Sequence, residues 1–193
     1  MTEKILTIGN NPTDSFNLIG IAKGSYVLAR TALNYPMAMF SFLPTSIHLI
    51  HHSIETYIKA FLVNESIKYP FGKKGHILTD LIELGYKKSA KLSFFYDKIL
   101  CRSNFKKLLI ELDYTYNNNR YSFAGYSIKT DELIDLFDEI IYIFLENFCL
   151  LINREYKEID NLWQIDIPED FLYSMEYRQK QQFIFCIIPK HYN

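Results

Sequence analysis

Three cysteines, seven glycines, six prolines and a single tryptophan are all that 193 residues carry of these types. Cys101, Cys149 and Cys186 are odd in number, widely spaced and free of any CxxC or Cys/His ligand pattern. Neither a disulfide framework nor a zinc ribbon is therefore suggested, and a reducing cytoplasm is the expected home. The scarcity of glycine and proline excludes collagen-like and linker-like chains and favours helix. Net charge is also lacking, since 21 Lys+Arg face 22 Asp+Glu. With 49% hydrophobic and 16% aromatic residues, the chain has enough apolar material to bury the core of one domain. The opening segment MTEKILTIGN is too short and polar for a signal peptide. The most apolar window, 133–152, holds Asp135, Asp138, Glu139 and Glu146, which are costly in hydrocarbon, so no membrane span is expected.

Apolar residues recur at helical spacing along most of the chain. Asp14 fits an N-cap for a first helix carrying Phe16, Ile19, Tyr26, Ala29 and Leu33 and ending before Pro36. Gly20 and Gly24, one turn apart, predict close approach of a neighbouring helix. Pro44 fits the first turn of a second helix with a stripe of Ile47, Ile50, Ile54, Ile58, Phe61 and Leu62, reaching Asn64. After a turn-prone stretch come Gly75-His76 and a short helix through Leu78, Leu81 and Leu84, closed by Gly85. Two further helical patterns follow between Ser89 and Tyr114, broken near Ser103-Asn104. A loop from Tyr114 to Tyr126 leads to a long helix capped by Thr130 and ending around Arg154. The spacing predicts an all-α single-domain bundle over 14–154, with Ile50, Ile54, Ile58, Leu78, Leu81, Phe137, Ile140, Ile141 and Phe144 in its core. Residues 155–193 form a C-terminal extension in which Phe183 to Ile188 fits either a helix end or a strand.

Charge is unevenly distributed. From Lys68 to Lys107 there are ten basic residues against three acidic ones, and from Thr130 to Glu176 thirteen acidic against two basic. A basic segment containing Lys73, Lys74, Lys87, Lys88 and Lys91 suits phosphate contacts, although lysine-rich helices also need solvated faces. On the second helix His48, His51, His52 and Glu55 fall at i, i+3, i+4 and i+7 and so share one side. A metal site is weakly indicated: Leu49 stands where an HExxH protease has glutamate, and no second ligand cluster follows, so no metal and no cofactor are expected. Glu55 and Lys59 form a favourable i,i+4 pair. Phosphate-binding loops, dinucleotide fingerprints and nucleophile elbows are absent.

The run Leu43-Pro44, then His51-His52-Ser53-Ile54-Glu55-Thr56-Tyr57-Ile58-Lys59-Ala60-Phe61-Leu62, then Gly75-His76-Ile77-Leu78-Thr79-Asp80-Leu81 and Asn119-Arg120-Tyr121-Ser122 before a last long helix, resembles the HEPN family (higher eukaryotes and prokaryotes nucleotide-binding domain). The resemblance covers 14–154. It implies an up-and-down bundle of four or five helices, frequent homodimers, and association with RNA cleavage, nucleotidyltransferase partners, or defence and toxin–antitoxin systems. It places Arg120 at the arginine of the family's ribonuclease motif, yet Gly125, Tyr126 and Ser127 stand where that motif has its histidine, and Tyr121 replaces its polar residue. Without an imidazole there, attack by a ribose 2′-hydroxyl loses its proton carrier. The resulting expectation is a non-catalytic protein that binds RNA, a nucleotide or a protein partner. Its alternatives are a divergent metal-independent endoribonuclease using Arg120 with His51, His52 or His76, and a partner-binding oligomeric subunit. A homodimer is expected with Arg120 and Tyr121 at or beside the interface and His51, His52 and Glu55 on the same cleft.

Overall fold

The computed structural model describes residues 12–33 and 39–118, together with residues 137, 139–141, 143 and 144. These form helices α1 (Pro12–Leu33), α2 (Met39–Asn64), α3 (Leu78–Lys88), α4 (Ala90–Leu100) and α5 (Ser103–Asn118), with a 3-10 turn at Gly72–His76 before α3. Residues 137, 139–141, 143 and 144 are also helical. No strand occurs among the described residues. The protein is an all-α bundle.

Helix α2 is the shared element. Its stripe of Ile47, Ile50, Ile54, Ile58, Phe61 and Leu62 is buried, as a 3.6-residue repeat of apolar side chains requires. One side packs on α1, where Ser15, Ile19, Ala22, Tyr26 and Ala29 are buried and Ser53 Oγ donates to the Ala22 carbonyl at 2.8 Å. Its other side meets α3 and α5. The core closes around Phe144, whose ring lies 5.4 Å from Tyr57, 5.5 Å from Phe61 and 5.4 Å from Phe95. Phe137 meets Tyr26 edge-on at 5.0 Å. Every residue expected in the core, from Ile50 to Phe144, is at most 1% exposed.

Local boundaries differ from the sequence expectations for identifiable reasons. Helix α1 begins at Pro12, so residue 14 lies inside its first turn. Helix α2 begins five residues before Pro44 and contains it; the proline removes one hydrogen bond, to the carbonyl of residue 40, near the end of the helix. Gly20 and Gly24 have nothing among the described residues within 4 Å of a would-be Cβ. The neighbouring helix lies instead on the side of Ala22 and Ser53. Gly85 does not end α3, which continues to Lys88. A Cβ on Gly85 would lie 2.6 Å from Tyr96 Cε2 and 3.2 Å from Leu62 Cδ2 and Leu92 Cδ1, so this glycine admits α2 and α4 at close range. The break between α4 and α5 falls at Cys101-Arg102, and α5 runs on through Asn118 where a loop was expected from Tyr114. Ser89 joins α3 to α4, its hydroxyl accepting from Leu92 N–H at 3.3 Å and donating to Glu65 at 2.8 Å.

Candidate functional site

Polar side chains converge where α2, the 3-10 turn, α3 and α5 meet. Glu55, only 3% exposed, projects from the inner side of α2. Lys59, one turn later, donates to its Oε1, and His76 Nδ1 lies 3.1 Å from both carboxylate oxygens. A carboxylate can only accept, so His76 Nδ1 carries the proton and Nε2 is the basic nitrogen of the neutral ring. Burial pushes the Glu55 carboxyl up, but the Lys59 and His76 hydrogen bonds and charges outweigh it and hold the group below its ordinary 4.5. The Lys59 ammonium also sits 5.1 Å from the centre of the Tyr69 ring, and burial with the nearby Glu55 charge raises the Tyr69 phenol.

Asp113 of α5 makes the second half of the cluster. Helix α3 starts after Ile77, which offers no side-chain cap. Asp113 supplies one from another helix: Oδ1 accepts from Leu78 N–H at 2.7 Å, and Oδ2 accepts from Thr79 N–H at 3.0 Å and Thr79 Oγ1 at 2.7 Å. These are the orphan amides of a helix N-terminus, met by a negative charge. Burial raises the Asp113 carboxyl, but the nearby His51 imidazole and the hydrogen bonds from Thr79 and Leu78 outweigh it, leaving a net depression below 3.8.

His51 lies between the two carboxylates. Nδ1 is 3.7 Å from Glu55 Oε2 and Nε2 is 3.6 Å from Asp113 Oδ1. Both separations exceed hydrogen-bond length, and at 2% exposure the ring nitrogens have no hydrogen-bond partner among the described residues. Tyr116 of α5 stacks on His51 at 4.4 Å and 9°, on His48 at 5.5 Å and 11°, and on His76 at 5.4 Å and 27°.

The expected histidine row thus divides. His51 turns inward with Glu55, whereas His52 is exposed and sits against α1, its Nδ1 3.0 Å from Ser25 Oγ. Partial burial lowers the His52 pKa, opposed by Glu55 and reinforced by Lys59, His51 and His76. His76 joins the Glu55 cluster with its side chain 40% exposed. No three His, Cys, Asp or Glu side chains among the described residues are arranged to hold a metal ion. Lys73, Lys74, Lys87, Lys88 and Lys91 are exposed, with Lys87 paired to Glu83 and Lys91 3.8 Å from Glu65. Arg120 and Tyr121, and with them the expected interface loop, lie outside the described residues.

Asp113, Thr79 and Tyr116 were not anticipated. Asp113 and Tyr116 continue the spacing of Phe105, Leu108, Leu109 and Leu112, so a carboxylate and a phenol on an otherwise buried stripe were the available signal. Chemically, the cluster offers one solvent-accessible imidazole oriented by a charged carboxylate, and a buried polar network tying four elements together. The chain matches no family model, no curated protein and no solved structure. No helix among the described residues is long and apolar enough to cross a membrane.

Proposed function

We propose that the protein is a non-catalytic HEPN-like module that binds RNA through its exposed basic segment, residues 68–107. The observation that supports this reading is the division of labour between charged groups. Inside the bundle Glu55 is held by Lys59 and His76, and Asp113 by the Leu78 and Thr79 donors, whereas Lys73, Lys74 and Lys88 are exposed on its surface, as are Lys87 and Lys91 beside Glu83 and Glu65. Exposed lysines release counterions when they meet phosphates, which gives salt-dependent and sequence-tolerant binding. Fluorescence anisotropy of a labelled RNA across 50 to 200 mM salt (on the order of physiological ionic strength) tests it. Binding that weakens steeply with salt, and weakens again in Lys73→Gln/Lys74→Gln/Lys88→Gln, is the expected result. Absence of binding at the lowest salt removes the reading. The homodimer belongs to the same proposal, and light scattering checks it.

One feature favours a second reading, a divergent endoribonuclease. The Glu55–His76 pair holds an accessible imidazole with its proton on Nδ1, an arrangement suited to general acid–base work. RNA cleavage in EDTA that disappears in His76→Asn would select this reading over simple binding.

A further inference from the structure

Between α2 and α3 the chain presents an aromatic ring amid lysines. Phe71 is 65% exposed, and Lys68, Lys73 and Lys74, within three residues of it in sequence, are exposed and make no ion pair among the described residues. No acidic residue occurs from Ser66 to Thr79. A single exposed apolar side chain is ordinary; one on an anchored loop with three exposed lysines within three residues in sequence is not.

The loop is held at both ends. At the end of α2, Glu65 N–H and Ile67 N–H donate to Phe61 and Leu62 carbonyls at 3.1 and 2.7 Å, and Ser66 takes φ 57°. At the other end Gly72 takes φ 67°, and Gly75 is buried with its would-be Cβ only 2.2 Å from the Pro70 carbonyl oxygen. Tyr69, itself capped by Lys59, backs Phe71 with ring centres 6.3 Å apart and tilted by 49°. A backed ring on an anchored loop loses little freedom when a second ring stacks on it.

We infer that Phe71 is a stacking platform for an unpaired base of single-stranded RNA, with Lys68, Lys73 and Lys74 contacting the flanking phosphates. This rests on the RNA-binding reading above and adds strand type and contact residue. An aromatic ring with adjacent cations is the recurring chemistry of single-strand binding, because every base has a π-face and every link a charge. A duplex hides those faces, so it gains only the lysines.

The test is anisotropy with a fluorescein-labelled oligouridine strand and with an RNA duplex of equal length, both in EDTA. Phe71→Ala is expected to weaken single-strand binding about tenfold while leaving duplex affinity and the salt slope unchanged. Phe71→Trp restores binding. Lys73→Gln/Lys74→Gln is expected to lower the single-strand salt slope by about 1.4. A thermal midpoint in Phe71→Ala equal to that of the parent protein shows that the loss is not unfolding. Tight single-strand binding untouched by Phe71→Ala overturns the stacking role and leaves RNA binding standing. Failure of the parent protein to bind either RNA overturns both. Phe71-dependent binding to phosphatidylserine-containing vesicles without RNA binding reassigns the loop to a lipid surface.

Discussion

Neighbouring residues with similar chemistry meet different fates here, and geometry decides which. His51 and His52 are adjacent, yet the 100° step of the helix sends one between two carboxylates and the other toward α1. Glu55 was legible as half of a helix pair with Lys59, but its contact with His76, 21 positions away, was not. Local spacing carries no information about which loop returns to a helix face. Replacing Glu55 with Gln leaves Lys59 half-enclosed without its counter-charge and should cost about 3 kcal/mol near neutral pH, read from urea unfolding midpoints. A loss below about 0.5 kcal/mol, the range of ordinary surface changes, would show that the pair is not integral to the fold. The acid limb follows from the same groups. His52, Glu55 and Asp113 all have depressed pKa values in the folded protein. The unfolded chain therefore takes up protons first as pH falls, and stability drops. The decline should begin as pH passes below 6.5 through His52 and steepen below 4.5 and 3.8 through Glu55 and Asp113, the ordinary values of those groups. Stability measured against pH should lose its upper step in His52→Gln, and the deficit of Glu55→Gln should shrink in acid as the parent protein protonates its own carboxylate. A flat profile from about one unit above to about one unit below the ordinary histidine value of 6.5 would contradict the assignment of His52.

Elements were more legible than their ends. The stripes of α2 and the short helices could be read because each buries one face against a single core, and burial of that face is what periodicity records. Boundaries were misplaced where a residue serves packing between helices rather than local conformation. Gly85 was read as a stop, yet it stands mid-helix because Tyr96 leaves no room for a side chain. Tyr114, Asn117 and Asn118 suggested a loop by composition, while Asp113 and Tyr116 bind α5 to α2 and α3 and extend the helix past that point. The two kinds of glycine predict opposite effects for one substitution. Gly85→Ala gains about 1 kcal/mol of helix propensity, but its Cβ must displace the fully buried Tyr96 ring. Such overpacking costs about 1–3 kcal/mol, so the variant should be less stable by about 1 kcal/mol. Gly20→Ala meets no neighbour among the described residues and should be more stable by about 0.5–1 kcal/mol. Thermal midpoints that move in the same direction for both would refute the packing role of Gly85.

Across the whole molecule, the bundle divides into an α1–α2 hairpin and a group of α2 with α3, α4 and α5, and the later helical segment joins them. Phe137 touches Tyr26 on α1, while Phe144, two turns on, touches Tyr57 and Phe61 on α2 and Phe95 on α4. The spacing of Phe137, Ile140, Ile141 and Phe144 made their burial legible, but not that their aromatic ends would meet two different halves. This arrangement makes residues far apart in sequence unfold together, because neither half keeps its core when the segment leaves. Phe144→Ala removes one ring from contact with three others in a site with no exposed surface, and loss of a buried Phe side chain costs about 3–5 kcal/mol. Its effect should appear equally by far-ultraviolet dichroism and by the amide exchange of α1 and α4, since Phe144 meets α2 and α4 while Phe137 of the same segment meets α1. Phe137→Ala, next to Tyr26, should act on the same transition with a comparable loss. If Phe144→Ala instead exposed α4 amides while those of α1 stayed protected at parent levels, the two halves would be independent folding units and the segment carrying Phe144 would not couple them.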